Sequence, residues 1–177
     1  MNWILSGCAA LLMVGCSPAL NWRTVALPEA GLTVTLPCKP DQTRRTVELA
    51  GDPVEMSMAG CDADGATFAV SHVALPDPAK TGVAMAHWRK AVLAHLGPDA
   101  AVSAVNVPYA PPGTLPLAQS VRTVATGQRA DGTPVTLQAV WFARASGSEL
   151  KLYHAVFYSA KPRPEVADSF FSGLSLQ

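Results

Sequence analysis

The chain predicts an α+β domain, an antiparallel β-sheet with helices on both of its faces. Three observations predict it. Short apolar–polar alternations, the mark of half-buried strands, recur between turns rich in Gly, Pro and Asp. Two late segments, Val135 to Ala143 and Leu150 to Tyr158, carry apolar side chains on both faces, so the sheet they build is covered on both sides. Two helix-like segments, one in mid-chain and one near the end, can supply the covers.

Leu32-Thr-Val-Thr-Leu36 alternates cleanly and is stopped by Pro37. Thr43 to Leu49 is the next strand, and Gly51-Asp52-Pro53 is a turn. Val54 to Cys61 follows with Val54, Met56 and Met58 on one face, Asp64-Gly65 closes a tight hairpin, and Thr67 to Leu75 returns. Thr81 to Leu96 is the best helix: Ala84, Trp88, Ala91, Val92, His95 and Leu96 fall on one side at helical spacing. Gly97-Pro98 ends it.

Val102 to Val107 reads as a strand, and the proline-rich run from Tyr109 to Pro116 as a stiff loop. Leu117 to Thr126, Pro134 to Ala145 and Glu149 to Ala160 are three further strands, with turns at Asp131-Gly132 and Ser146-Gly147-Ser148. Pro164 to Phe171 starts with Pro in its first turn and makes a short closing helix.

Ahead of this domain stands a different kind of sequence. Trp3 to Val14 is mostly apolar and runs into Gly15-Cys16-Ser17, which reads as an export signal with small residues at the cut. It is similar to the lipobox of bacterial lipoproteins, in which the cysteine thiol receives a diacylglycerol before signal peptidase II cleaves. The resemblance implies a leader over 1–15, lipidation at Cys16, a tether over 16–30 and a domain over 31–177. Ser17 then favours the outer membrane, with the domain on its periplasmic side. Position 13 is Met where Leu is usual, Leu5-Ser-Gly-Cys8 fits the motif better locally but leaves almost no apolar run ahead of the cut, and no Lys or Arg precedes the run. A start upstream of Met1 would supply that charge. A buried N-terminal helix or a membrane span is the alternative, but the run is well short of the about 20 apolar residues a span needs.

Thirteen basic and thirteen acidic residues cancel, so nothing favours nucleic acid or an anionic lipid surface. With Cys8 in the leader and Cys16 acylated, Cys38 and Cys61 are left, and two such cysteines in an exported protein read as one disulfide. Two buried thiols are the alternative.

Leu32-Thr-Val-Thr-Leu-Pro-Cys-Lys-Pro40, a long middle helix, paired late strands and a closing Phe170-Phe-Ser-Gly-Leu-Ser-Leu176 together resemble the PsbP-like family. The resemblance spans about Leu32 to Leu176 and implies an α/β/α sandwich. It also implies a binding or assembly module, since most members act so; fold alone does not specify function.

Reactive signatures are thin. His87 and His95 lie eight apart on the middle helix without a carboxylate at ligand spacing, and no metal signature results. His95 reads as packed at the helix end, where a cation suits the dipole, and His154 as a satisfied core or cavity residue. Asp62, Asp64 and Gly65 resemble the start of a calcium loop whose later ligands are missing; a hairpin turn explains them better. No nucleophile elbow or phosphate loop occurs, and no cofactor is implied. The residues singled out for binding are Tyr109 in the proline-rich loop, Trp88 on the helix and Trp141 in a late strand.

The expectation is therefore a non-catalytic lipoprotein of the bacterial envelope, held to the membrane by its lipid and binding another envelope protein. The alternative is a carrier or chaperone-like binder of a hydrophobic small molecule or peptide, with a cavity between sheet and middle helix lined by Trp88, Trp141 or Phe157. An enzyme would need His72 or His154 to converge with Asp or Ser.

Overall fold

The computed structural model describes residues 19–147 and 149–177. The leader and the lipidation site at Cys16 lie outside the described residues. Among those residues the chain order is β1 (Arg23–Leu27), β2 (Leu32–Leu36), β3 (Asp41–Leu49), β4 (Asp52–Ala63), β5 (Ala66–Leu75), α1 (Thr81–Ala94) and α2 (Ala100–Ser103). Then come β6 (Val105–Pro108), β7 (Val121–Gln128), β8 (Pro134–Ser146), β9 (Glu149–Ser159), α3 (Pro164–Ser172) and β10 (Ser175–Leu176).

These strands form two antiparallel sheets, a seven-stranded one ordered β3-β4-β5-β9-β8-β7-β6 and a three-stranded one ordered β1-β2-β10. The expected α/β/α sandwich, with helices on both faces of one sheet, is thereby overturned. The protein is mostly β, with 50% strand against 21% helix. α1, assisted by α2, covers one face of the large sheet. The small sheet, with α3 beside it, covers the other.

The reason lies in β2. Leu32, Val34 and Leu36 are completely buried, as their alternation requires, but the row they form faces Phe68, Phe142 and Phe170 from a second layer. A lone strand in that position would leave both backbone edges unpaired, which is costly when buried. β1 satisfies one edge in register from Arg23↔Leu36 to Leu27↔Leu32, and β10 satisfies part of the other. Gly31, at φ +60°, allows the reversal between β1 and β2.

Local chemistry explains the rest of the meander. The β3–β4 turn places Ala50 and Gly51 at φ 53° and 85°, and the β4–β5 turn places Asp64 and Gly65 at 51° and 68°. Two consecutive positive φ values are what a two-residue hairpin with right-twisted strands demands. The segment Val102 to Val107, expected as one strand, instead divides into the helical turn α2 and the short edge strand β6. The Val102 and Ser103 N–H groups close the helical turn on the Asp99 carbonyl, and the chain becomes extended at Ala104.

Each face of the large sheet has its own core. Trp141, Leu137, Leu152 and Val156 pack beneath Ala84, Met85 and Trp88 of α1. On the far side Phe68 meets Trp22, Phe157 and Phe170 at centroid distances of 5.8, 5.0 and 5.5 Å. Arg122 ties β7 to α3: it donates to Asp168 Oδ1 and Gln138 Oε1, each at 2.6 Å, and its guanidinium lies 5.0 Å from the centroid of the Phe171 ring. At the other end of α1, Gly127 on β7 sits so close to Leu96 that a Cβ would collide with the Leu96 carbonyl.

A candidate binding trough beside the middle helix

The buried face of α1 is narrower than its spacing suggested. Ala84, Met85, Trp88 and Leu93 are buried, whereas Ala91 and His95 are exposed. This is a correction to the reading of His95 as packed. The cause is coverage: α1 packs against β8 and β9 and reaches β3 at the sheet edge, and it stands off from β4 and β5 between them. Ala91 and His95 therefore border a trough of about 390 Å³ instead of a closed interface.

Its floor comes from alternate residues of adjacent strands: Met56 and Met58 on β4, Ala69 and Ser71 on β5, and His154 and Val156 on β9. The wall is Trp88, Ala91 and Val92 of α1, and Arg45, Glu48, His87 and His95 stand around it. Two polar contacts tie the helix and the residue before it to the β3–β4 hairpin. His87 Nδ1 accepts the backbone N–H of Ala50 at 3.0 Å, and Lys80 Nζ donates to Asp52 Oδ2 at 2.7 Å.

His154 is the unusual group. Strand register places it between Ser71 on β5 and Trp141 on β8, all three on the α1 side. Its ring stacks on Trp141, and Trp88 tilts against it with centroids 5.4 Å apart. The Nε2 atom is buried and among the described residues has no hydrogen-bond partner, so the expected satisfied histidine is corrected to an unsatisfied one. Full burial without a counter-charge pulls its pKa down from 6.5 to about 3, and the imidazole is neutral at physiological pH.

The residues singled out for binding divide between the two faces. Trp88 and Trp141 meet through His154, with Trp88 on the trough wall and Trp141 fully buried beneath. Phe157 belongs to the opposite core. Tyr109 is also on that opposite side, where its ring packs on Phe142 at 6.0 Å and its hydroxyl donates to the Phe171 carbonyl at 3.3 Å. There it fastens the proline-rich loop to α3.

Cys38 and Cys61 are joined in a disulfide, with Cα atoms 6.0 Å apart, tying the approach to β3 to the end of β4. Asp62 accepts from the Thr67 hydroxyl and Asp64 pairs with Arg163, so both acidic residues serve the hairpin. Among the described residues no group of three His, Cys, Asp or Glu side chains could hold a metal ion. His72 lies on the other face from His154, stacked on Tyr153; its pKa is lowered by burial first and by Lys151 second. Ser71 adjoins His154 in register, and among the described residues no carboxylate hydrogen-bonds the imidazole.

Ser71 escaped the sequence reading because its opposition to His154 is set by β5–β9 pairing, a contact between residues far apart in the chain. Met56 and Met58 were visible as one face of a strand. No family model matches this chain, and comparison with curated proteins finds no match.

Proposed function

We propose that this protein is a lipid-anchored binding domain of the bacterial envelope, holding a partner without catalysis. The observation that carries the reading is the apolar run ending in Gly15-Cys16-Ser17. A disulfide between Cys38 and Cys61 supports an oxidising compartment, because such bonds are rare in reducing cytosol. Support for a protein partner comes from the β6 edge. Val105 and Val107 are 62% and 50% exposed there, with Val124 of the neighbouring β7 39% exposed beside Val105, and exposed apolar groups at a sheet edge suit pairing with another protein.

Metabolic labelling with an alkyne analogue of palmitate tests the anchor. Label is expected on the wild type and absent from Cys16→Ala; an unlabelled wild type overturns the anchor. Crosslinking of the anchored protein in intact cells then identifies the partner. The trough beside α1 favours a second reading, a carrier of a hydrophobic small molecule.

A further inference from the structure

Three features make the trough more than a gap in the packing. Its volume, about 390 Å³, falls within the range of small-molecule pockets, and its floor of methionine, alanine and valine side chains is apolar. Ser71 and His154, paired on neighbouring strands, are its buried polar residues, while Arg45, Glu48, His87 and His95 around it are exposed. Finally, among the described residues His154 Nε2 is left without a partner in this core, as is Nε1 of Trp141, the indole stacked on it. A buried polar atom with no hydrogen bond is a standing penalty, and native proteins keep few of them without a reason.

We propose that the trough between α1 and strands β3–β5 binds a neutral, largely apolar small molecule whose single hydrogen-bond donor is received by the His154 imidazole. This rests on the carrier reading and specifies its ligand. Neutrality follows from the site. A neutral imidazole offers one acceptor nitrogen, and no buried counter-charge stands beside it to offset an ionised ligand. The charged and titratable side chains around the trough, Arg45 and Glu48 of β3 and His87 and His95 of α1, are all exposed to solvent, although Arg45 lies beside Met56 in register on the trough side of the sheet. Trp88 and Trp141 both pack against the ring, Trp88 from the trough wall and Trp141 from the buried core, so a ligand reaches His154 past Trp88 alone. Met56 and Met58 give the floor the adaptability that unbranched thioethers supply.

Dansylamide is a suitable probe, being neutral, aromatic and equipped with a sulfonamide N–H. Its N,N-dimethyl derivative has the same ring and no such donor. Binding to the full chain in lipid nanodiscs is read as energy transfer from tryptophan, with empty nanodiscs as the blank. Saturable one-to-one binding of dansylamide is expected, tighter than its dimethyl derivative by about tenfold, the worth of one good buried hydrogen bond.

His154→Phe should abolish that preference while keeping a ring against both indoles. Ala91→Trp, at an exposed position of α1, should fill the trough and weaken both probes without lowering the melting temperature. Equal binding of both probes by the wild type overturns the role of His154. Absent or non-saturable binding, or binding that Ala91→Trp leaves unchanged, overturns the site itself. Because Ala91→Trp reports on the trough alone, failure here is distinct from failure of the lipid anchor, which the palmitate label reads.

Discussion

The imidazole of His154 lies nearly parallel to the indole of Trp141, with ring centroids 4.8 Å apart and planes inclined by 23°. The stack fixes a titratable group inside an apolar core, and the core holds it neutral. In the folded chain it gains a proton only near pH 3, against 6.5 for an ordinary histidine.

An acid-sensitive stability follows. Between about pH 6.5 and 3 the unfolded chain binds a proton at this position that the folded chain refuses, so stability falls as pH drops through that window. The slope from one such group is at most about 1.4 kcal/mol per pH unit. Urea unfolding of wild type and His154→Phe at pH 7, 6, 5 and 4 should show the two diverging, with the variant the flatter. His72 contributes in the same direction but is present in both proteins. Parallel curves would refute the buried neutral histidine.

Reducing the Cys38–Cys61 bond should lower unfolding stability by roughly 3 kcal/mol, the chain-entropy value for a loop spanning 23 residues. Unfolding with and without a phosphine reductant measures it. The double variant Cys38→Ala/Cys61→Ala should match the reduced wild type, and an unchanged midpoint would mean that the bond constrains nothing.

Arg122→Met should destabilise by about 2 kcal/mol. It removes two charge-assisted hydrogen bonds and the contact over Phe171, and leaves the buried Gln138 oxygen without its donor. Asp168→Asn should lose less than about 1 kcal/mol, because Asp168 is 61% exposed and solvent screens the pair. Comparable losses from the two variants would show that the ion pair, not the Gln138 bond, holds β7 to α3.

Val105→Glu and Val107→Glu test the partner surface at the β6 edge. Both side chains are exposed, so the melting temperature should shift by no more than a surface change does, about 0.5 kcal/mol in stability. The crosslinked partner band should disappear. A band that survives both substitutions places the partner elsewhere.

Much of the large sheet was legible because its signals are local. β8 and β9 show apolar residues on both faces, and Asp64-Gly65 marks its hairpin by residue type alone. The small sheet was not legible. In β1, Arg23 to Leu27, only Leu27 is buried, so no alternation betrays a strand, and β10 is two residues long. Both exist because β2 needs partners, a requirement visible only once Leu32, Val34 and Leu36 are seen against Phe68 and Phe170. Leu32 to Leu36 was readable as a strand, but alternation does not say which sheet a strand joins. Likewise Trp88 was readable as inward-facing from its helix spacing. The opposition of Ser71, His154 and Trp141 depends on the register of three strands, which no local pattern encodes.

The intact mass of the mature protein isolated from cells tests the central claim most directly. The account predicts a membrane-fraction species beginning at Cys16, carrying the mass of a diacylglyceryl group and lacking two hydrogens for the closed Cys38–Cys61 bond. A soluble cytosolic species that keeps residues 1–15 and has both thiols reduced would contradict it.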